Sequence, residues 1–278
     1  MINISLFMLS APWVVYCLFM AFIIGACFGS FVNCLQIRLQ NKSGSVFGRS
    51  KCPGCGHTLG VLDLFPVFSF IFLRGRCRYC GAKISPRYLA VEVVFGLCYA
   101  VILAVFGFSW LTLEYLLLFT LMGAASLSDI STFEVPDSLI IAQAAVFLAF
   151  LITHDDPLHR LISGVISAVV FGGAILVISL IADKAFKKDS LGGADIKQIA
   201  VLGLYFTMPQ MLFLVIVSAI VGIIAALIAK AGLKKEFPFI PSLAVGALVT
   251  AAVSQPFIDW YLGLFYVEEH LHLEDFMY

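Results

Sequence analysis

Residues 11–34 read APWVVYCLFMAFIIGACFGSFVNC, and this stretch contains no Asp, Glu, Lys or Arg. About 20 apolar residues cross the hydrocarbon core of a bilayer as a helix, so the stretch is long enough for one span. The whole chain has the same character, because 62% of its 278 residues are hydrophobic and 12% are charged. Soluble domains carry about 25% charged residues. The sequence therefore predicts an all-α polytopic membrane protein whose solvent is in part the lipid bilayer.

Further runs with few or no charges predict the remaining transmembrane helices. They cover residues 88–107, 111–128, 136–153, 161–182, 198–229 and 238–264. The run 198–229 is too long for a single span, and Thr207-Met208-Pro209 near its middle predicts a turn between two short helices. The count is then about eight transmembrane helices, with seven as the alternative.

The distribution of basic residues predicts the orientation of these helices. Nine Lys and Arg lie between Arg38 and Arg87, four lie at 184–197 and three at 230–235. Cytosolic loops are enriched in basic residues. Eight spans with an external N-terminus place 16 of the 17 basic residues inside, whereas seven spans would export the 230–235 cluster. No charged residue precedes Arg38, and cleavable signal peptides have a basic start. We therefore expect the first helix to be retained as one span of a multi-pass membrane protein. With zero net charge, we expect no nucleic-acid partner.

Residues 38–87 differ from the rest of the chain, because they are basic and rich in Gly and Pro. They contain two C-x2-C pairs, and the four cysteines are Cys52, Cys55, Cys77 and Cys80. Two such pairs can complete a closed tetrahedral zinc site, which would be structural because it leaves no open ligand position. A domain of about 50 residues is near the size that needs a metal to fold. The alternatives are two disulfides, which rarely persist in the cytosol, or four unrelated thiols.

Two aspartates at the ends of predicted spans are the candidate catalytic groups. Asp129 lies in SLSDISTFEVPD (126–137) and Asp195 in SLGGADIK (190–197). Ionisable groups at the membrane are costly and therefore candidates for function. Two facing aspartates share a proton and can activate water for peptide hydrolysis. The alternatives are a solvated helix end for Asp129 and a helix cap for Asp195. Asp137 is expected to be an N-cap.

Other polar residues near span ends receive simpler interpretations. Glu92 and Glu114 are expected to lie at the membrane interface. His154 and His159 are expected in a solvated external turn, with a weak metal site as the alternative.

Several motifs in order resemble the type IV prepilin peptidases, which belong to the GxGD class of intramembrane aspartyl proteases. The matching stretches are GSFVN (29–33), CPGC (52–55), LRGRCRYCGAKISPRY (73–88), SLSDISTFEVPD (126–137) and GGADIK (192–197). The resemblance covers nearly the whole chain. It implies an enzyme that cuts the short basic leader from prepilins or pseudopilins at the cytosolic membrane face. By the same resemblance, Asp129 and Asp195 would be the protease pair and the four cysteines would bind zinc.

The resemblance also implies a second activity, because members with the four-cysteine loop typically methylate the new N-terminal amine with S-adenosylmethionine. No glycine-rich G-x-G-x-x-G motif is present, so no residues are assigned to that cofactor. One departure from the family concerns the second aspartate motif. The family pattern is Gly-x-Gly-Asp, whereas residues 192–195 read Gly-Gly-Ala-Asp. Ala194 lacks the easy access to positive φ that glycine has.

The sequence thus predicts three parts: the first transmembrane helix (1–37), a cytosolic four-cysteine zinc-binding domain (38–87) and a transmembrane aspartyl protease domain (88–278). Two other functions are alternatives: a proton-relaying transporter with a zinc docking module, and a zinc scaffold for pilus or secretion assembly. A transporter would be expected to hold its acidic residues near mid-membrane and to show repeated halves. The aspartates lie at span ends and no repeat is visible, which favours the protease.

Overall fold

The computed structural model describes residues 10–40, 50–52, 54–186, 192–229 and 237–253. Across these residues the secondary structure is helical, and the β-structure consists of two isolated bridges. The chain divides after His154 into two compact units. The predicted boundaries at 37/38 and 87/88 remain predictions. The basic residues at 187–188 and 230–235, and the end of the predicted span 238–264, lie outside the described residues.

The first unit contains five of the helices. They are α1 (Ala11–Gln40), α2 (Phe68–Phe72), α3 (Pro86–Phe106), α4 (Trp110–Thr132) and α5 (Asp137–Phe150), and a 3-10 turn at Leu151–Thr153 extends the last. Helix α1 packs most extensively along α3. Two glycines on α1 allow this approach. A Cβ atom on Gly25 would lie 2.5 Å from the carbonyl oxygen of Phe95, and one on Gly29 would lie 2.9 Å from the Phe95 side chain. Small residues at such positions let helix backbones come close.

Local signals fix where the helices of the first unit begin and end. Ser85 caps α3 by accepting the Arg87 N–H. Helix α4 ends at Phe133, which takes a left-handed conformation with φ 56°. Helix α5 begins at Asp137, with Pro136 as its N-cap and no side-chain cap bond. Asp137 is therefore in the first turn rather than at the N-cap position predicted for it. There its negative charge complements the helix dipole.

The second unit contains α6 (Pro157–Phe186), α7 (Gly193–Tyr205), α8 (Met208–Ile228) and an apolar helix α9 (Ile240–Val253). Helix α6 packs along α7, again through small residues, since a Cβ atom on Gly203 would lie 2.5 Å from Cα of Ala168. The long apolar run 198–229 is interrupted between α7 and α8, where Phe206 is extended and Thr207 forms a capping box with Gln210. The turn predicted from Thr207-Met208-Pro209 is thus present.

Among the described residues, five helices are long and apolar enough to cross a bilayer, namely α1, α3, α4, α6 and α8. The apolar segment of α5 with its 3-10 extension (Asp137–Thr153) and helix α9 are shorter, and α7 has 13 residues. These helices overlap the stretches that the sequence predicted as spans. The ends differ, because α1, α3, α4, α6 and α7 each extend beyond the predicted bounds at one or both ends. The five long helices support a multi-pass membrane protein. The total of eight spans remains a prediction.

Candidate metal centre and candidate active site

Both C-x2-C segments fold into the same turn. In each turn, the backbone N–H of the first cysteine donates to the carbonyl of the residue five positions later. The carbonyl of the same cysteine accepts the N–H of the residue four positions later. The pairs are Cys52–His57 (2.9 Å), Gly56–Cys52 (2.8 Å), Cys77–Ala82 (2.8 Å) and Gly81–Cys77 (2.9 Å). Gly56 and Gly81 adopt φ of 70° and 71°, a conformation that costs glycine nothing because it has no Cβ. The two turns are therefore local repeats of one structure.

The two turns bring the four cysteine sulfurs together. All four Sγ atoms lie within 4.8 Å of one another, and those of Cys52 and Cys80 are 3.8 Å apart. A tetrahedral zinc site with Zn–S bonds of about 2.3 Å requires sulfur–sulfur distances of about 3.8 Å. All eight cysteines of the chain are described, and all are free thiols. The geometry is therefore compatible with a metal site and differs from the alternative of two disulfides.

The environment of the sulfurs favours binding of a cation. Backbone N–H groups of Gly54 and Cys55 hold the pKa of the Cys52 thiol down to about 7. Cys80 behaves in the opposite way. The Ala82 N–H lowers its pKa, but burial and the neighbouring thiols outweigh this and raise it to about 11. Metal ligation requires thiolates. A cation among the four sulfurs would allow all of them to ionise, which their mutual repulsion otherwise opposes.

A buried aspartate, Asp63, links the two turns and was missed from the sequence. Its Oδ2 accepts the Gly60 N–H and the Tyr79 hydroxyl, both at 3.0 Å. Its Oδ1 lies 3.1 Å from Nε of Arg78. The Gly60 N–H, then the Tyr79 hydroxyl and the Arg78 charge, lower the pKa of Asp63. The Tyr79 ring also packs on His57 of the first turn, with ring centroids 3.7 Å apart.

The sequence did contain one signal for this aspartate. Asp63 is the only acidic residue between Arg38 and Arg87, a segment with nine basic residues. A lone carboxylate in a basic segment is expected to be paired. Its partners, however, are set by the folding of the segment, which the spacing of the cysteines does not reveal.

Asp129 lies in the last turn of α4 and is only 7% exposed. The turn that follows is fixed by hydrogen bonds. The Asp129 carbonyl accepts the Phe133 N–H at 3.0 Å, and the Ser128 hydroxyl donates to the Glu134 carbonyl at 2.8 Å. The alternative of a solvated helix end is therefore wrong for Asp129. Asp129 is therefore a buried residue near the end of a helix.

Asp195 lies in the first turn of α7, and its N–H donates to the Gly192 carbonyl at 3.0 Å. Gly192 has φ −67°, and α7 is already helical from Gly193. Ala194 therefore adopts an ordinary helical conformation, so the missing family glycine causes no backbone strain. Asp195 is half-buried, whereas Lys197 is exposed. The positive end of the α7 dipole stabilises a carboxylate at this position.

Two family models match the regions that carry these sites. The Bacterial Peptidase A24 N-terminal domain matches residues 23–106, which include the four cysteines. The Type IV leader peptidase family matches residues 116–227, which include Asp129 and Asp195. The two matches occur in chain order and extend from the middle of α1 to the end of α8, apart from residues 107–115.

Similar proteins carry one recurring name. The chain is 32% identical over 214 residues to the "Prepilin leader peptidase/N-methyltransferase" of Burkholderia pseudomallei, covering 75% of this chain and 68% of that one. The chain belongs to the type IV leader peptidase family. Its identity to the Bacillus subtilis member of the same name is 29% over 249 residues, covering 87% and 97% of the two chains. For the Myxococcus xanthus member the identity is 31% over 222 residues, covering 77% of this chain and 65% of that one.

Family membership identifies the chain as an enzyme of a peptidase family, as the motifs in its sequence implied. No solved structure matches this chain.

Proposed function

We propose that this type IV leader peptidase cleaves the basic leader from prepilins or pseudopilins and methylates the new N-terminus. The observation that carries the proposal is the position of the two aspartates. Each lies at the end of a helix within the region matched by the leader peptidase family, Asp129 closing α4 and Asp195 opening α7. The names of the relatives describe both activities.

The proposed chemistry is aspartic proteolysis in which the two carboxylates share one proton. The ionised aspartate takes a proton from water while the water oxygen bonds to the scissile carbonyl carbon. The protonated aspartate donates a hydrogen bond to the carbonyl oxygen. When the C–N bond breaks, the leaving amine receives the proton that was taken from water. We assign the ionised role to Asp195, because it lies at the positive end of a helix dipole, whereas Asp129 lies at the negative end of α4.

The four-cysteine site holds a structural zinc ion in this proposal. Cys52, Cys55, Cys77 and Cys80 would hold the ion with four thiolates, which would leave no position for a substrate. The ion would therefore fix the two turns relative to each other rather than take part in hydrolysis. Asp63 supports the same arrangement through its bonds to the segments on either side.

The methyl-transfer step is proposed from the family alone. S-adenosylmethionine, when bound, supplies the methyl group to the amine freed by cleavage. No residues of this chain are assigned to its binding.

We further propose that the protein lies in the bacterial cytoplasmic membrane with its N-terminus outside. The metal centre and both aspartates would then face the cytosol, where the basic leader of a prepilin begins. The distribution of Lys and Arg supports this orientation.

Mass spectrometry of a prepilin incubated with the purified full-length protein tests both proposed activities. With S-adenosylmethionine present, we expect loss of the leader and addition of one methyl group to the new N-terminus. A leader that stays intact would refute the peptidase proposal. Cleavage that leaves an unmodified amine would refute the methyl-transfer proposal alone.

A further inference from the structure

An apolar segment interrupts the basic region that contains the metal centre. Residues Leu64–Leu73 read LFPVFSFIFL, ten residues without a charge, and they lie between the two cysteine turns. The segment includes the short helix α2. An uncharged run of this length is too short to span a bilayer and is typical of a core helix or an interfacial segment.

The structure excludes a core position for much of this segment. The exposed fractions are 80% for Phe72 and 59% for Ile71, and Leu64 and Phe65 are also exposed. Leu62, just before the segment, is 73% exposed. Contiguous exposed apolar surface of this kind marks a membrane or protein contact. Asp63, the one charged residue among these side chains, is turned inward to Gly60, Tyr79 and Arg78. The outer face is therefore apolar.

A hydrogen bond places the segment beside the membrane-spanning helices. The Val67 N–H donates to Oε2 of Glu92 at 2.8 Å, and Glu92 lies in α3. Glu92 lies six residues after Pro86, which corresponds to about 9 Å along α3. A glutamate side chain is shorter than this rise. The turn at Val67 therefore lies alongside the first turns of α3, and not beyond the end of the helix.

The charges around the segment indicate what covers it. Arg74, Arg76 and Lys83 follow α2 and are exposed, and Arg78 is half-exposed. A basic rim around an apolar surface complements anionic lipid headgroups. The same rim repels both the basic leader of a prepilin and an identical rim on a second copy of the chain. Charge complementarity therefore favours lipid over either protein partner.

We propose that Leu62–Phe72 is an interfacial anchor inserted into the bilayer leaflet on the side of the metal centre. Phe72, Ile71 and Leu62 contact acyl chains, while Arg74, Arg76 and Lys83 bind anionic headgroups. The bond from Val67 to Glu92 fixes the anchor to α3, so the metal centre is held against the membrane surface. This lipid-binding surface is independent of the proposed proteolysis.

A fluorescent amino acid in place of Phe72 tests the proposal. The full-length variant is reconstituted into vesicles of phosphatidylcholine and phosphatidylglycerol, with or without brominated acyl chains. The same probe replaces Leu97, which is 54% exposed on α3, as a lipid-facing control. It replaces Lys51, which is exposed beside the first cysteine turn, as a water-facing control. Bound zinc is measured in every variant to show that the cysteine turns remain folded.

We expect the Phe72 probe to resemble the Leu97 probe. Brominated lipid should quench it, and aqueous iodide should quench it several-fold less than the Lys51 probe. Iodide quenching equal to that at Lys51, without quenching by brominated lipid, would overturn the proposal. Shielding from iodide that depends on protein density in the vesicles, or that appears only with added prepilin, would also overturn it in favour of a protein partner. As a second readout, quenching by brominated lipid should increase with the fraction of phosphatidylglycerol in the vesicles. The double substitution Arg74→Gln with Arg76→Gln should remove this dependence.

Discussion

The imidazole Nε2 of His154 lies 3.1 Å from Oε2 of Glu114, a carboxylate that is completely buried. Glu114 is in the second turn of α4, and His154 follows the 3-10 turn that extends α5. The contact joins the ends of two neighbouring helices inside the first unit. Glu114 is thus enclosed by protein, and His154 belongs to a structural pair instead of a solvated turn.

Replacing His154 tests the contribution of this pair. Loss of a hydrogen-bonding partner from a buried charged group costs about 1–3 kcal/mol. We expect His154→Ala to lower the free energy of unfolding of the purified protein by that amount, and therefore to lower its melting temperature. Glu114→Gln combined with His154→Ala should cost less than the sum of the single changes. His159→Ala is the control, because His159 is an exposed histidine in the first turn of α6. Equal melting temperatures for the two histidine variants would contradict a stabilising role for the pair.

Metal content tests the four-cysteine site. Cys52→Ser and Cys77→Ser each remove a buried sulfur from the cluster, and we expect both to purify without stoichiometric zinc. Cys17→Ser is the control, because Cys17 lies in α1, apart from the C-x2-C turns. Elemental analysis of the purified variants gives the answer. Zinc retained by both cluster variants, or lost equally from the Cys17 variant, would show that these sulfurs are not the ligands.

Substitutions at residue 194 test whether catalysis needs a residue with positive φ immediately before Asp195. Ala194 is helical here, and Ala to Gly in a helix costs about 1 kcal/mol. We expect Ala194→Gly to restore the family pattern without raising the cleavage rate, and to lower the stability slightly. Gly193→Ala is the complement, because a Cβ there meets no atom within 4 Å, and we expect a small gain in stability. A large rise in activity for Ala194→Gly would mean that a positive φ is needed during the reaction.

Replacing Asn33 tests whether a buried amide that lowers the stability of the protein is needed for its function. Its side chain is fully buried, and neither amide atom has a hydrogen-bond partner among the residues that the structure describes. It follows Val32, which packs on Leu127 two residues before Asp129. Replacing an unsatisfied buried amide by a hydrocarbon of similar shape is neutral or stabilising. We therefore expect Asn33→Leu to raise the melting temperature by a few degrees and to slow leader cleavage.

Ser167→Ala is the control for Asn33, because Ser167 is a buried unsatisfied hydroxyl in the second unit outside the quoted motifs. It should leave the cleavage rate unchanged. An Asn33→Leu protein that is more stable and equally active would show that the amide has no role in the reaction.

The sequence was most informative where the deciding contacts are local. The C-x2-C spacing predicts the cysteine turns because each turn closes within six residues. The length of the run 198–229 predicts the break that the structure has at Phe206 and Thr207. Both features depend on residues close together in the chain, so spacing and composition were sufficient.

Contacts between residues far apart in the chain could not be predicted from the spacing and composition of the sequence. Val67 with Glu92, and Glu114 with His154, are 25 and 40 residues apart. A single polar residue near a span end fits an interfacial, a capping or a buried paired position equally well. Asp137 illustrates the limit at short range, since Pro136 takes the cap and moves the aspartate one position into the helix. Helix boundaries shift easily by one residue.

The rate of leader removal by aspartate variants tests the central claim most directly. Full-length Asp129→Asn, Asp195→Asn and Asp137→Asn proteins are incubated with a prepilin in detergent, after zinc content and melting temperature confirm that each is folded. Asp137 is the matched control, because it opens α5 shortly after the end of α4 but lies outside the proposed pair. We predict that the Asp129 and Asp195 variants lose at least about 100-fold in rate, the minimum expected for removing an acid–base group, while the Asp137 variant cleaves like the wild type. Near-normal cleavage by either of the first two variants would contradict the aspartic mechanism.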